Sequence, residues 1–151
     1  MTSLIDLIVP TQPWAMVGAS HKTTKASYFV LSYLLARDFQ VYPVNPKGGE
    51  ILGQKVYPSL AAIPQALYGI IIFRASDAAG QVVEEALALS PPPKLIWMQF
   101  GVRHDRAAAR ARAAGLTVVM DRCLKQEWAR HTGELGYVGL NSGLIRARRP
   151  A

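Results

Sequence analysis

Five short apolar runs, separated by segments with helical periodicity, constrain the fold of this chain most. Apolar residues recur at helical spacing from Ala26 to Leu34 and from Ala79 to Leu87, which indicates amphipathic helices. An alanine-rich segment, 105–114, stops at Gly115, the residue favoured just past a helix end. Strands so uniformly apolar are covered on both faces, so the sequence predicts a doubly wound, mainly parallel α/β sheet of about five strands. The predicted strands are 14–18, 40–44, 69–73, 94–98 and 116–120.

Length and composition favour one cytoplasmic domain. The 151 residues can bury a single core, and the lone cysteine, Cys123, excludes an internal disulfide and fits a reducing compartment. We find neither a basic secretory leader nor an apolar run of the roughly 18 residues that a membrane span needs. We expect an N-terminal segment 1–13, a ligand-binding domain 14–135 and a basic tail 136–151.

The formal charge of +7 is scattered rather than gathered into a nucleic-acid surface. Arg146, Arg148 and Arg149 belong to the tail, and the arginines of 103–112 alternate with alanines as on the solvated face of a helix. Aromatic residues that could stack bases do not interleave with them. A small polyanionic ligand is therefore favoured over DNA or RNA.

The stretch MVGASHKTTKASY, residues 16–28, predicts an anion site where the first strand becomes a helix. It is not the dinucleotide fingerprint G-x-G-x-x-G, because Ser20 and Thr23 replace the later glycines. Lys22 and Lys25 either contact phosphate or are simply solvated. If Gly18 lets a phosphate approach the backbone, a Gly18→Val variant should keep the fold with some loss of stability and lose the ligand.

The second strand ends in Asn45-Pro46-Lys47, without the acid that binds the ribose of NAD. A lysine here suits a ribose that carries a phosphate, as in coenzyme A or NADP, and the missing glycines disfavour NADP. Asn45 is either a ligand contact or a turn residue that bonds its own backbone. Arg74 either meets the ligand or caps the sheet with a salt bridge.

Several segments resemble stand-alone CoA-binding domain proteins, whose fold is also the CoA-binding domain of the succinyl-CoA synthetase alpha subunit. The segments are VGAS, VYPVNPKGGEILGQKVYPSL, WMQFGV and AGLTVVMDRC, and the resemblance runs from about Trp14 to about Lys125. It implies a Rossmann-like domain that binds coenzyme A at the carboxyl ends of its strands. The predicted cofactor-binding residues are Gly18, Ala19, Ser20, Lys22, Lys25, Asn45, Pro46, Lys47, Phe73, Arg74, Met98, Gln99 and Gly101.

The resemblance also implies a role for several of these residues. The 18–20 loop contacts the pyrophosphate, Lys47 pairs with a phosphate of the 3′-phosphorylated adenosine, Phe73 and Arg74 flank the nucleotide, and Met98 and Gln99 line the pantetheine path. Met98, an apolar residue in an apolar strand, is equally a candidate for the core.

We expect a carrier or regulatory protein for CoA or acyl-CoA, without catalytic activity of its own. None of His21, His104 and His131 lies in a segment that matches the phosphohistidine of succinyl-CoA synthetase. The alternatives are an NADP-linked oxidoreductase and the CoA-binding component of a multi-subunit acyl-CoA ligase. A protein partner or a homo-oligomer is left open.

Cys123 raises a separate hypothesis. Arg122 and Lys125 lie beside it in sequence, and neighbouring cations lower the pKa of a thiol. Such a thiol could form a mixed disulfide with CoA under oxidation. A lone cysteine after a strand is also commonly a small buried hydrophobe.

Overall fold

A computed structural model describes residues 3–133, which form two compact units. The larger unit is 10–122, and the smaller combines 3–9 with 123–133. The predicted tail 136–151 and its arginines lie outside the described residues. The limits 1–13 and 14–135 stay predictions.

The strands of the larger unit follow the five predicted apolar runs closely, with an additional hairpin. The strands are β1 Pro13–Val17, β2 Gln40–Val44, β3 Glu50–Ile51, β4 Gln54–Lys55, β5 Gly69–Ile72, β6 Leu95–Met98 and β7 Thr117–Val119. Five of them form a parallel sheet in the order β2-β1-β5-β6-β7, and β3 pairs with β4 antiparallel. The predicted fold class is therefore confirmed.

Helices lie between strands of the sheet and at both ends of the described chain, and a histidine caps one of them. His104 begins one of them, since its Nδ1 accepts a hydrogen bond from the Ala107 N–H at 3.0 Å, which satisfies a donor of the first turn. Single 3-10 turns lie at Leu60–Ala62 and Ser76–Ala78. The helix bounds are α1 Leu4–Leu7, α2 Ala26–Ala36, α3 Ala79–Leu87, α4 Asp105–Ala113 and α5 Leu124–His131.

Alternate strand residues face opposite sides of the sheet, and both sides are buried. Ala15, Ile70 and Ile96 pack with the buried faces of α3 and α4, whereas Trp14 and Trp97 lie on the other side and are also fully buried. The chain passes from β1 to β2 in one direction and from β5 to β6 in the other. Right-handed crossovers on the two sides of such a reversal place α2 on the face opposite α3 and α4.

The reversal of strand order lies between β1 and β5. In open α/β sheets, ligands bind outside the carboxyl ends of the strands at such a switch point. The residues that follow β1 and β5 are Gly18 and Phe73. The topology therefore predicts a ligand site at this edge of the sheet.

The smaller unit contains α1 and α5, which contact each other. Neither they nor the other helices within residues 3–133 are long and apolar enough to cross a membrane.

Candidate functional site

A cavity of about 560 Å³ opens at the carboxyl edge, at the ends of β2, β1 and β5. This volume falls within the roughly 300–1,000 Å³ typical of small-molecule sites. Seven of the predicted ligand residues line it, namely Gly18, Ala19, Ser20, Asn45, Pro46, Phe73 and Arg74. The sequence analysis did not include the remaining lining residues, which are Val17, Val44, Pro58, Ser59, Ala75, Ala78, Gln81, Val82 and Glu85.

Gly18 ends β1 with a positive φ of 93°. A Cβ atom on Gly18 would lie 2.7 Å from the carbonyl oxygen of Phe73, closer than two such atoms can approach. The Gly18 N–H donates to the Val44 carbonyl at 3.2 Å, so this residue also adjoins the end of β2. A Gly18→Val variant is therefore expected to lose stability, because the backbone of the β5 end already occupies the space of a side chain. That the variant keeps the fold stays a prediction.

Asn45 joins the two loops that border the cavity. Its Nδ2 donates to the Ala19 carbonyl at 2.8 Å, and its Oδ1 accepts from the Lys47 N–H at 2.9 Å. The backbone of Asn45 is held as well, since its N–H donates to the Tyr57 carbonyl at 2.9 Å. The turn role considered for Asn45 is thus present, and the same side chain also fixes the 18–20 loop.

His21 makes a second link between these loops. Its Nε2 lies 2.8 Å from the carbonyl oxygen of Gly48, and because a carbonyl only accepts, Nε2 carries the proton. This role of His21 could not be predicted from the sequence, because His21 and Gly48 are 27 positions apart and local patterns carry no signal of such a contact. The 18–21 and 45–48 segments therefore form one connected rim.

Cationic side chains surround this rim. Arg74 lines the cavity, and Lys22, Lys25 and Lys47 are exposed on the two segments that follow β1 and β2. Within residues 3–133, Arg74 has no carboxylate partner, so the salt bridge considered for it is not formed there. The Ser20 Oγ accepts from the Lys22 N–H at 3.1 Å, which leaves its own O–H to donate to an anion.

One wall of the cavity is formed by α3 and by Ala78, the residue before it. It is lined by the exposed side chains of Gln81 and Glu85, by Ala78 and by the buried Val82. The Gln81 amide donates to the Glu85 carboxylate at 3.4 Å. Their spacing of four residues places them on one helix face, but the sequence carries no signal that this face borders a cavity.

Comparison with known proteins agrees with this geometry. The model of the CoA binding domain family matches residues 12–129. The chain belongs to the CoA-binding domain family. The uncharacterized protein YneT of Bacillus subtilis is 32% identical over 111 residues, which cover 74% of this chain and 81% of YneT. The structure of a hypothetical protein from Pyrococcus horikoshii is 37% identical, with a TM-score of 0.73 over 78% of this chain and 81% of that chain.

The family also links the chain to acyl-CoA ligases. The alpha subunit of an ADP-forming acetate–CoA ligase from Pyrococcus furiosus is 38% identical over 77 residues. These residues cover 47% of this chain but 17% of the ligase subunit. The likeness therefore concerns the CoA-binding domain and leaves most of the ligase without a counterpart.

The predicted residues at the end of β6 do not line the cavity. Met98 is fully buried in the core, and Gln99 is 3% exposed. Gly101 follows them with a positive φ of 88°, and its N–H donates to Asp121 Oδ1 at 2.7 Å. Phe100, which the sequence analysis did not single out, is 77% exposed. Any ligand that reaches this strand end meets Phe100 and backbone groups before it meets the Met98 or Gln99 side chain.

Other chemistry has little support among the described residues. Within residues 3–133, no group of three His, Cys, Asp or Glu side chains could hold a metal ion. Cys123 is half-buried at the residue before α5, in the smaller unit. Burial raises the pKa of the Tyr68 phenol, but Tyr68 precedes β5 and so lies at the opposite edge of the sheet. The lining of the cavity thus combines loop backbone with amides, hydroxyls, the Arg74 cation and the Glu85 carboxylate.

Proposed function

We propose that this CoA-binding domain holds coenzyme A or an acyl-CoA in the cavity at the β1–β5 switch point. The observation that carries the proposal is the connected rim of the 18–21 and 45–48 segments, which borders a cavity lined by Arg74. The rim offers donors and the cavity wall a cation, and both suit a ligand with several phosphates.

The phosphates are assigned to the rim. The Gly18-Ala19-Ser20 loop receives the pyrophosphate, with the Ser20 hydroxyl as a donor and Arg74 as a planar cation on the opposite side. Lys47 and Pro46 lie at the adenosine end, where Lys47 pairs with the 3′-phosphate. Lys22 and Lys25 provide an exposed positive field that attracts the anion.

The pantetheine arm is assigned to the direction of β6. Because the Met98 and Gln99 side chains are buried, their contribution is to shape the strand end. Phe100 and Gly101 present an exposed ring and a backbone without a side chain, over which the arm passes. Phe73 lies between the two halves of the ligand.

The role we propose is that of a carrier or regulator in the cytoplasm, without catalysis by this chain alone. The binding groups named above hold a ligand, and none of them is a nucleophile paired with a general base. A second candidate, a CoA-binding component of a multi-subunit acyl-CoA ligase, is favoured by the likeness to the acetate–CoA ligase subunit. A ligase component would form acyl-CoA once its partner subunits are added, whereas a carrier or regulator would not.

Parallel calorimetric titrations with CoA, dephospho-CoA, NADP and NAD test the proposal. We expect CoA to bind most tightly, dephospho-CoA more weakly, and NADP and NAD weakest. Equal or tighter binding of NADP would favour the oxidoreductase alternative. Absence of CoA binding by the folded protein would refute the proposal.

A further inference from the structure

The α3 wall of the cavity carries an acidic group where a phosphate-binding site should have none. Glu85 lines the cavity and is bonded to Gln81 at 3.4 Å. A carboxylate repels phosphate oxygens, so this part of the cavity suits a different part of the ligand. A carboxylate beside an amide offers acceptors together with a donor, which is the pattern that recognises the edge of a base.

The surroundings of this pair suit a flat, uncharged ring. Pro46 and Pro58 line the cavity from the segments near β2, Ala78 lines it from the residue before α3, and Val82 lines it from α3. These side chains are apolar and small or rigid, so they bury the faces of a ring at little cost in conformational entropy. The cavity therefore offers apolar side chains as well as the polar Gln81–Glu85 pair.

The neighbouring acid, Glu84, has different surroundings from Glu85. Glu84 forms a salt bridge with Arg110 of α4, with 3.0 Å between the Arg110 Nε and the Glu84 carboxylate. Glu85 has no such cationic partner within residues 3–133. Two adjacent glutamates thus differ in surroundings, one paired with the next helix and one facing the cavity.

We propose that Glu85 and Gln81 read the adenine base, an inference that rests on the proposed CoA binding. The Glu85 carboxylate accepts from the exocyclic amino group, and the Gln81 amide donates to the ring nitrogen N7, which is an acceptor in adenine and hypoxanthine alike. Hypoxanthine, which replaces the amino group by a carbonyl, places an acceptor against the carboxylate. The site thus discriminates by the chemistry of one substituent.

The test compares CoA with deamino-CoA, its hypoxanthine analogue, on the wild type and on Glu85→Gln. One charge-assisted hydrogen bond at a partly exposed site predicts that the wild type prefers CoA by about fivefold to twentyfold. In Glu85→Gln, an amide can donate to the hypoxanthine carbonyl, so the preference should disappear or reverse. Glu84→Gln, next to it and paired with Arg110, should keep the wild-type preference.

The outcomes separate this inference from the proposed function. Equal affinity of the wild type for both ligands, or a Glu85→Gln variant that keeps the preference for CoA, would overturn the inference and leave CoA binding in place. A wild type that binds neither ligand would overturn both. A thermal melt of each variant shows whether the fold is kept.

Discussion

The two edges of the β1–β5 pair use glycine for opposite purposes. At the amino edge, a Cβ on Gly69 would lie 2.6 Å from the Trp14 ring, which is fully buried and meets Tyr68 edge-on at 5.3 Å. At the carboxyl edge, Gly18 lies against the Phe73 backbone, and a cavity opens beside it. The first glycine makes room for a side chain, and the second lets two strand ends approach.

Because of this difference, the two edges of the β1–β5 pair should contribute differently to stability and to ligand binding. Packing fills the amino edge, where substitutions should act on the free energy of unfolding alone. The carboxyl edge leaves space, and its side chains bond to neighbouring loops, as Asn45 does with Ala19 and Lys47. Substitutions there should act on the ligand as well.

The largest effect is expected for Gly18→Ala. The positive φ of 93° costs a residue with a side chain about 1–3 kcal/mol, and the contact with the Phe73 carbonyl adds to this cost because backbone cannot rotate away. Chemical denaturation should show the loss of stability, and calorimetry a loss of CoA affinity in the folded fraction. A variant as stable as the wild type would show that the strand ends separate easily.

Gly69→Ala tests the other edge. Forcing a methyl group against the Trp14 ring is overpacking, which costs about 1–3 kcal/mol. The denaturation midpoint should fall, while CoA affinity measured well below the unfolding range should not change. Combination with Trp14→Phe, which removes part of the ring, should recover some of the stability. A drop in CoA affinity would mean that the two edges are not independent.

The sequence predicted the fold better than the site, for a physical reason. Strand and helix periodicity is local, so the five runs became the five parallel strands of the sheet. The ends of β1 and β2 could also be predicted, because Gly18 and Asn45-Pro46 are residues typical of turns. The α3 wall was missed, since only the fold brings Gln81 and Glu85 to the cavity, and Met98 shows that a motif position can be wholly buried.

Lys47→Ala, at the carboxyl edge, should lower CoA affinity without lowering the stability of the fold. A charge-assisted hydrogen bond to the 3′-phosphate contributes about 1–3 kcal/mol, and the exposure of Lys47 puts the expected loss near the lower end. Dephospho-CoA, which lacks that phosphate, should lose little, so the two changes should be non-additive. Rising ionic strength should weaken CoA more than dephospho-CoA.

A matched lysine at the opposite edge provides the control for Lys47. Lys94 is exposed just before β6, at the amino edge, and Lys94→Ala should leave both affinities unchanged. If Lys47→Ala weakened both ligands equally, the lysine would act on the pyrophosphate or on the fold. The adenosine end would then have to be placed elsewhere.

The smallest effect is expected for His21→Ala, which cuts one link of the rim and touches no phosphate in the proposed arrangement. A hydrogen bond contributes about 0.5–1.5 kcal/mol, and because the bond to the Gly48 carbonyl is exposed, we expect about 0.5–1 kcal/mol, which is roughly a twofold to fivefold fall in CoA affinity. Gly48 directly follows Lys47, so loosening it should weaken CoA more than dephospho-CoA. A purely structural role would weaken both alike. His21→Gln keeps a hydrogen-bond donor on a side chain of similar reach, so it should recover part of the CoA affinity that His21→Ala loses. If it recovers none, the effect depends on the shape of the imidazole rather than on its hydrogen bond.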